Sequence, residues 1–209
     1  YIITWEQGGH SIVYPLSPKV THIDWGILFY RQYQYGLFKR MFMQWKMEKE
    51  FFKKLSNFVH TTQADIVIGA SCEFTTMAGM DLLQRKTHTI LETHSMRTSI
   101  EKNNPPAGNL LMRRAFERRD KKLHQYIKHM SAFVTLTHND AKDWSDITPQ
   151  ARIIPNMLHR YPAEISPDKK TQKRIITAGR LVEQKGYDLL LDAWSKVHQK
   201  HPEWILDIY

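Results

Sequence analysis

The sequence predicts an α/β protein with a doubly wound, Rossmann-like parallel sheet. Two observations support this fold class. Predicted strands and helices alternate along the chain, and the strands are continuous apolar runs such as "ADIVIGA" (64–70) and "SAFVTL" (131–136). Strands of a parallel sheet with both faces covered have this composition, whereas strands with one solvated face alternate apolar and polar residues. The 209 residues, 42% of them hydrophobic, provide for one large domain or for one domain and part of another.

The first part of the chain predicts two short strands and a long helix. "YIITW" (1–5) is a strand followed by turn residues at Gly8 and Gly9, and "KVTHIDWGI" (19–27) is a second extended segment. A helix is predicted from Gly36 to Val59. Its apolar residues recur at helical spacing and are expected on one side: Phe38, Met41, Trp45, Phe52, Leu55 and Val59.

The next segments continue the alternation. "ADIVIGA" is a buried strand, "EFTTMAGMDLLQR" (73–85) a helix and "KTHTILE" (86–92) a strand that leads into a long loop. A second long helix is predicted from Asn109 to Met130. Its apolar side is expected to carry Met112, Phe116, Leu123, Ile127 and Met130.

The first unit is predicted to end with two strands around a short helix. "SAFVTL" is the first strand, and Thr137 with Asp140 resembles a capping box that opens the helix. "ARIIP" (151–155) is the second strand. Residues 157–173 contain prolines and charges without apolar periodicity, and we interpret them as a linker.

A new strand–helix–strand unit occupies 174–209. "RIITAG" (174–179) is its first strand, a helix runs from Gly186 to Gln199, and "WILDIY" (204–209) is the second strand. One such unit cannot bury both faces of its sheet, so the second domain is expected to be incomplete in this sequence.

Two cations bracket the loop after the strand 174–179. Arg180 and Lys185 lie at the carboxyl end of a predicted parallel strand and before a helix N-terminus, where open α/β sheets bind ligands and backbone N–H groups suit phosphate. Arginine can grip phosphate oxygens in a bidentate way, and lysine adds a point charge. The loop is therefore a candidate diphosphate site, although two solvated loop cations remain an equal alternative. Neither the P-loop pattern nor the dinucleotide glycine pattern is present.

The net charge of +9 favours polyanionic partners. Basic residues concentrate on the predicted helices 36–59 and 109–130, which are either ordinary solvated faces or surfaces that contact an anionic bilayer. The only cysteine, Cys72, excludes a disulfide framework, suits a reducing compartment and is expected to serve core packing rather than nucleophilic catalysis. No apolar run approaches the length of a membrane-spanning helix, and no zinc-ligand spacing is present.

The block "AGRLVEQKGYDLLLDAW" (178–194) resembles the signature of retaining, GT-B-fold glycosyltransferases of family 4, in which Gly-Arg-Leu ends a strand and Lys-Gly opens the next helix. "ARIIPN" (151–156) is similar to the strand before the crossing between the two domains of that family. "ADIVIGAS", "THTILETHS" and "FVTLTHND" follow in the order expected for the later strands of its first domain.

The resemblance implies roles for four residues. Arg180 and Lys185 would bind the diphosphate of a nucleotide-sugar donor, and His94 would face the donor sugar or the reacting centre. Asn156 would lie in the crossing between the domains. The alternatives are that His94 is a loop histidine without a functional role and that Asn156 is a turn-forming residue after Pro155. No metal and no cofactor beyond the donor substrate are expected.

The resemblance also implies a domain organisation. Residues 1–156 would be the acceptor-side Rossmann-like domain without its first strand and glycine-rich loop, 157–173 the interdomain linker, and 174–209 the first βαβ unit of the nucleotide-sugar domain. The glutamate pair of the family would lie beyond Tyr209. The sequence is therefore expected to be a fragment that holds half of a diphosphate site and is inactive alone.

The predicted function is that of a hexosyltransferase type of glycosyltransferase. It would act on a glycan or lipid-linked acceptor in surface polysaccharide or lipopolysaccharide synthesis, in the cytoplasm and peripherally at the inner face of the cell membrane. The alternative is a basic α/β module that binds RNA or anionic lipid without catalysis. Nucleic acid is not expected, because the aromatic residues mostly follow helix core patterns rather than alternating with cations on an exposed sheet.

Overall fold

A computed structural model of the chain describes residues 1–83, 87–101, 110–157 and 173–209. The chain forms two compact units, Tyr1–Met157 and Leu158–Tyr209. The boundary between them falls at the start of the predicted linker, most of which lies outside the described residues.

The first unit follows the predicted alternation of strands and helices. Its elements are β1 (Ile2–Thr4), β2 (His22–Asp24), a 3-10 turn (Phe29–Gln34), α1 (Leu37–Thr62), β3 (Ile66–Gly69), α2 (Phe74–Asp81), β4 (His88–Glu92), α3 (Arg97–Ile100), α4 (Leu110–His129), β5 (Ala132–Thr135), α5 (His138–Asp143) and β6 (Arg152–Ile153). Thr137 caps the start of α5 as predicted. Its hydroxyl accepts from the Asp140 backbone N–H at 3.1 Å and donates to the Asp140 carboxylate at 2.7 Å.

All paired strands of the described residues are parallel, which confirms an α/β fold with a parallel sheet. β3, β4, β5 and β6 form one four-stranded sheet in chain order, and β1 pairs with β2 in a separate two-stranded sheet. In this order each strand lies beside the next one along the chain, and helices lie in the connections between them. The finer assignment to a doubly wound GT-B domain stays a prediction.

One face of the four-stranded sheet is covered by helices. Leu91 and Phe133 are paired in register, lie on this face and are buried in a core with Met77 of α2 and with Leu123 and Ile127 of α4. The predicted apolar side of α4 is confirmed at Leu123, Ile127 and Met130. Phe116 is half-buried, and the side chain of Met112 lies outside the described residues.

The predicted apolar side of α1 is wrong in its first half. The buried residues are Met47, Phe51, Leu55 and Val59, which recur every four residues and pack on β3. Phe52 is half-buried. Three predicted core residues are exposed instead: Phe38, Met41 and Trp45. Helical spacing identifies a side of a helix but not how far along the helix a partner covers that side.

The second unit is the predicted βαβ unit. β7 (Arg174–Thr177) and β8 (Ile205–Ile208) are parallel, and α6 (Tyr187–Lys200) joins them. None of the α6 residues with a described burial is fully buried, and Ile175 and Ile176 of β7 are exposed. The small sheet therefore leaves apolar surface open, as a lone βαβ unit is expected to do.

Candidate functional site

The loop between β7 and α6 begins where the two strands end. The Gly179 N–H donates to the Tyr209 carbonyl at 3.0 Å, and the Tyr209 N–H donates to the Thr177 carbonyl at 2.9 Å. The chain then makes a 3-10 turn over Glu183–Lys185. The Val182 N–H bonds the Arg180 carbonyl at 2.9 Å, so that local backbone bonds hold the loop at the carboxyl end of the strand.

Two glycines shape this loop. A Cβ atom at Gly179 would lie 3.0 Å from the Tyr187 hydroxyl and 3.9 Å from Cδ of Lys185, so glycine permits both side chains to approach the strand end. Gly186 has φ +61°, in the left-handed region that favours glycine. It turns the chain into α6 without a side-chain cap, and the first N–H groups of that helix therefore lack a side-chain acceptor at this position.

Arg180 and Lys185 are both exposed on this loop. Among the described residues neither side chain forms an ion pair or a hydrogen bond. Lys185 ends the 3-10 turn and precedes the helix by one residue, rather than lying within the first helical turn. The loop thus presents two cations without a described side-chain partner, next to the first N–H groups of α6, which have no side-chain cap. This arrangement suits a phosphate-bearing ligand.

His94 lies at the carboxyl end of β4, where the resemblance placed it. Thr93 is buried, its N–H donates to the Val134 carbonyl at 2.9 Å, and its hydroxyl donates to the Ser95 carbonyl at 2.9 Å. These bonds fix the backbone on both sides of His94, while its ring is exposed. The ring Nε2 lies 3.7 Å from a carboxylate oxygen of Glu92.

Asn156 follows β6 and is exposed. The Ile154 N–H donates to the Thr135 carbonyl at 2.9 Å, which extends the pairing with β5 nearly to Pro155. His94 and Asn156 therefore lie beyond the carboxyl ends of two strands of the same sheet. Arg180 and Lys185 belong to the second unit.

Cys72 follows β3 and packs partly buried against the main core. Its sulfur lies 4.0 Å from the Glu92 carbonyl oxygen. Burial raises the pKa of the Cys72 thiol to about 11, although a hydrogen bond with Thr93 acts in the opposite direction. A thiol in this state is protonated at neutral pH and serves as a small apolar side chain.

We expect native Cys72 to react with iodoacetamide at pH 7.5 at least ~100-fold more slowly than in urea, because the thiolate is both scarce and covered. Cys72 is the only cysteine, so the mass of the labelled protein reports on this thiol directly. Equal rates in the native and unfolded protein would contradict the packing role.

A charge network around Arg97 has no counterpart among the sequence predictions. Arg97 Nε lies 2.7 Å from a Glu101 carboxylate oxygen, and its two terminal nitrogens contact both carboxylate oxygens of Asp146 at 2.5 and 3.1 Å. The guanidinium lies over the Trp144 ring at 5.1 Å, and the His124 ring is 2.6 Å from Glu101. The hydrogen bond from Arg97 lowers the pKa of Asp146, and the bond to Asp146 raises the pKa of Arg97.

This network fastens α3, which follows the His94 loop, to the segment between α5 and β6. Its only sequence signal is the spacing of Arg97 and Glu101, four residues apart on one helical turn. The contacts with Asp146 span 49 residues and cannot be found from local patterns.

The basic helices present their charges to solvent. On α4 the exposed cations are Arg113, Arg114, Arg118, Lys121, Lys122 and Lys128, whereas Arg119 bonds Asp120 at 3.1 Å and lies over the Phe74 ring. At the start of α1 the cations contact aromatic rings. Lys39 lies 4.3 Å from the Tyr35 ring centre, and Lys49 lies 3.9 Å from that of Trp45.

Comparisons with family models, with curated proteins and with solved structures find no match to this chain. Across the ranges that the structure describes, none of the helices combines the length and the apolar character needed to cross a membrane. Within the same ranges no three His, Cys, Asp or Glu side chains are grouped so that they could hold a metal ion.

Proposed function

We propose that the chain is part of a retaining glycosyltransferase of the GT-B, family 4 type, which transfers a hexose from a nucleotide-sugar donor to a glycan or lipid-linked acceptor. The synthesis of surface polysaccharide or lipopolysaccharide is the proposed setting. The observation that carries the proposal is the loop 178–186, in which Arg180 and Lys185 are exposed and form no described ion pair. The loop lies between the end of a parallel strand and a helix without a side-chain cap.

The chemistry of sugar transfer fits these two cations. Cleavage of the bond between the sugar and the nucleoside diphosphate places negative charge on the leaving phosphate. Cations that are already fixed near that phosphate stabilise the transition state more than the ground state. Arg180 would grip two phosphate oxygens with its planar guanidinium, and Lys185 would add a compact charge. His94 is proposed to face the donor sugar.

The proposal assigns each unit a part of the enzyme. Residues 1–156 would form the doubly wound acceptor-side domain, 157–173 the linker with Asn156 at the crossing, and 174–209 the first part of the donor domain. The exposed apolar strands of the second unit support an incomplete domain, because Ile175 and Ile176 lack cover among the described residues. Such a chain would hold the diphosphate half of the donor site and would be inactive alone.

The Arg180→Ala, Lys185→Ala double variant tests the diphosphate site. UDP, GDP and ADP are tested in turn by calorimetry, and we expect at least one of them to bind the parent chain. The double variant should bind that nucleotide at least ~100-fold more weakly, because each charge-assisted contact contributes about 1.5–3 kcal/mol.

The matched control is Lys196→Ala with Lys200→Ala, which removes the same charge from exposed positions on α6 of the same unit. This control should change affinity less than about threefold, since distant surface charges are screened. An equal loss of nucleotide affinity in both double variants would show that the effect comes from net charge and not from the loop. Unchanged affinity in the Arg180, Lys185 variant would refute the site.

We further propose that the protein attaches peripherally to anionic membrane through the start of α1. Leu37, Phe38, Met41, Phe42 and Trp45 are exposed there, with Phe38 at 87%. Lys39, Lys46 and Lys49 on the same turns are exposed cations. Apolar and aromatic side chains flanked by lysines suit the boundary between acyl chains and anionic headgroups. This position agrees with a lipid-linked acceptor.

A polyanion-binding module without catalysis is the second candidate. It is favoured by three cation–aromatic pairs near the start of α1: Lys39 with Tyr35, Arg40 with Tyr33 and Lys49 with Trp45. The Tyr33 and Trp45 rings are exposed, and exposed aromatic rings beside cations also stack nucleotide bases. Single-stranded RNA that binds the chain and competes with anionic vesicles, together with failure of every nucleoside diphosphate, would favour this candidate over the transferase.

A further inference from the structure

Tyr187 brings a third polar group to the loop of Arg180 and Lys185. It is the first residue of α6 and is half-buried, and a Cβ atom built on Gly179 would lie 3.0 Å from its hydroxyl oxygen. Gly179 follows β7, and its N–H continues the strand pairing by bonding the Tyr209 carbonyl at 3.0 Å. The Tyr187 hydroxyl therefore lies at the carboxyl end of the strand from which the loop starts.

The place of Tyr187 at the start of α6 explains why its side chain points to this strand end. The Cα–Cβ bonds of an α-helix tilt towards its N-terminus, so a long side chain on the first residue points back over the segment before the helix. Leu190 and Trp194, three and seven residues further along, are the half-buried residues of the same side of α6. The ring thus lies on the half-buried side of the helix and carries its hydroxyl back to Gly179.

The Tyr187 hydroxyl is available to a ligand. Among the described residues it forms no hydrogen bond, although a phenol hydroxyl both donates and accepts. The side chain of Lys185 approaches the same point, because its Cδ and Cε atoms are each 3.9 Å from the Cβ position of Gly179. The hydroxyl and the lysine stem therefore converge on one glycine, directly before the uncapped N–H groups of α6.

A phenol hydroxyl supplies something that the two cations of the loop do not. The ammonium of Lys185 is a point charge on a flexible stem, and it attracts an anion without fixing its position. The Tyr187 hydroxyl is held by a rigid ring and donates a single hydrogen bond from a defined place. A site that combines them attracts a diphosphate by charge and orients it by the neutral donor.

We propose that the Tyr187 hydroxyl donates a hydrogen bond to a phosphate oxygen of the nucleotide-sugar diphosphate and so fixes where the diphosphate lies on the loop. This inference rests on the diphosphate site proposed above, to which it adds an uncharged binding residue. It also gives Gly179 a role, because a side chain at that position would push the hydroxyl away from the strand end.

Tyr187→Phe tests the role of the hydroxyl, because it removes the oxygen and keeps the ring. Calorimetry measures the binding of inorganic pyrophosphate and of UDP, GDP and ADP to the 209-residue chain. We expect the variant to bind pyrophosphate, and each nucleotide that binds the parent chain, at least ~10-fold more weakly, since a hydrogen bond to a charged group is lost. The melting temperature should stay unchanged, because the hydroxyl has no partner within the described residues.

Gly179→Ala tests the position of the hydroxyl. The added methyl group would lie 3.0 Å from the hydroxyl oxygen, so the end of the tyrosine side chain has to move. We expect the substitution to weaken pyrophosphate binding about fivefold in the parent chain. In the Tyr187→Phe chain it should change the affinity less than about twofold, because residues that act through one contact are not additive.

Tyr14→Phe is the matched control. It removes the hydroxyl of a tyrosine that is 76% exposed and belongs to the first unit. Pyrophosphate affinity should stay within about twofold of the parent, since an exposed surface substitution of this kind has little effect elsewhere.

The outcomes separate this inference from the site on which it rests. If neither pyrophosphate nor any of the three nucleotides binds the parent chain, the diphosphate site is refuted and the role of Tyr187 with it. If Arg180→Ala with Lys185→Ala abolishes binding while Tyr187→Phe binds like the parent, the site stands and the role of Tyr187 is wrong. Weaker binding by Tyr187→Phe together with a clearly lower melting temperature would show that the hydroxyl stabilises the fold and does not contact the ligand.

Discussion

Replacement of Arg97 by alanine should lower the free energy of unfolding of the first unit by about 3 kcal/mol. The reason is the environment of its partners. Glu101 has only 7% of its side chain exposed, and Arg97 itself 20%. Without the guanidinium, the buried Glu101 carboxylate loses a charge-assisted hydrogen bond, and the Trp144 ring loses the cation above it. Chemical denaturation followed by circular dichroism measures the change.

Two further variants separate the contributions. Arg97→Lys keeps the charge but cannot contact Glu101 and both oxygens of Asp146 with one planar group, so an intermediate loss is expected. Asp146→Ala removes the more exposed end of the network, since 61% of the Asp146 side chain is exposed, and should cost no more than about 1 kcal/mol. An Arg97→Ala protein as stable as the parent would show that the network contributes nothing net.

The Arg97 network also bears on the site. It fixes α3, and α3 begins three residues after His94. In the complete transferase that we propose, Arg97→Ala would therefore displace a loop that faces the sugar, whereas Asp146→Ala would leave Glu101 to hold the loop. Arg97 is in this sense a positioning residue, and nothing in its local sequence beyond the spacing to Glu101 indicates that role.

The strands and α4 could be predicted because their signals are local and match their burial. "ADIVIGA" and "SAFVTL" are apolar over their length, and β3 and β5 lie within them. Leu123 and Ile127 recur at helical spacing and are buried. The start of α1 has an equally regular pattern but lacks cover among the described residues. Periodicity reports the side of a helix that is apolar, whereas burial depends on a partner that the pattern does not contain.

The loop of Arg180 and Lys185 shows the same division. Its position after a strand and before a helix was readable from the order of apolar runs and glycines. The 3-10 turn and the close approach of Lys185 and Tyr187 to Gly179 depend on three-dimensional packing, so the sequence did not predict them. The sequence likewise did not predict that β1 and β3 lie at sheet edges, because strand order is set by tertiary pairing and not by the composition of the strands.

Replacing Phe38, Phe42 and Trp45 by serine should weaken binding to two kinds of vesicle, anionic ones of phosphatidylglycerol and neutral ones of phosphatidylcholine, by about 100-fold or more. These side chains lie on one side of the first turns of α1, and all three are at least half exposed. Burial of a large aromatic side chain contributes about 1.5–3 kcal/mol, so the loss of even part of this from three residues exceeds a hundredfold change in affinity. Cosedimentation with the vesicles measures it. Stability should be unchanged, because none of the three belongs to a core cluster.

A control and a charge variant complete the test. Val13→Ser, Tyr14→Ser and Leu189→Ser remove exposed apolar side chains elsewhere and should leave vesicle binding intact. Replacing Arg113, Arg114 and Arg118 of α4 by glutamine should weaken binding only to the anionic vesicles. This loss of binding should be smaller at high salt, since each cation near the surface contributes about 1 kcal/mol that salt screens. Arg119 is left in place because it bonds Asp120. If the serine variant bound both kinds of vesicle like the parent, α1 would not be the membrane contact, and its exposed aromatic residues would have to meet a protein or nucleic acid instead.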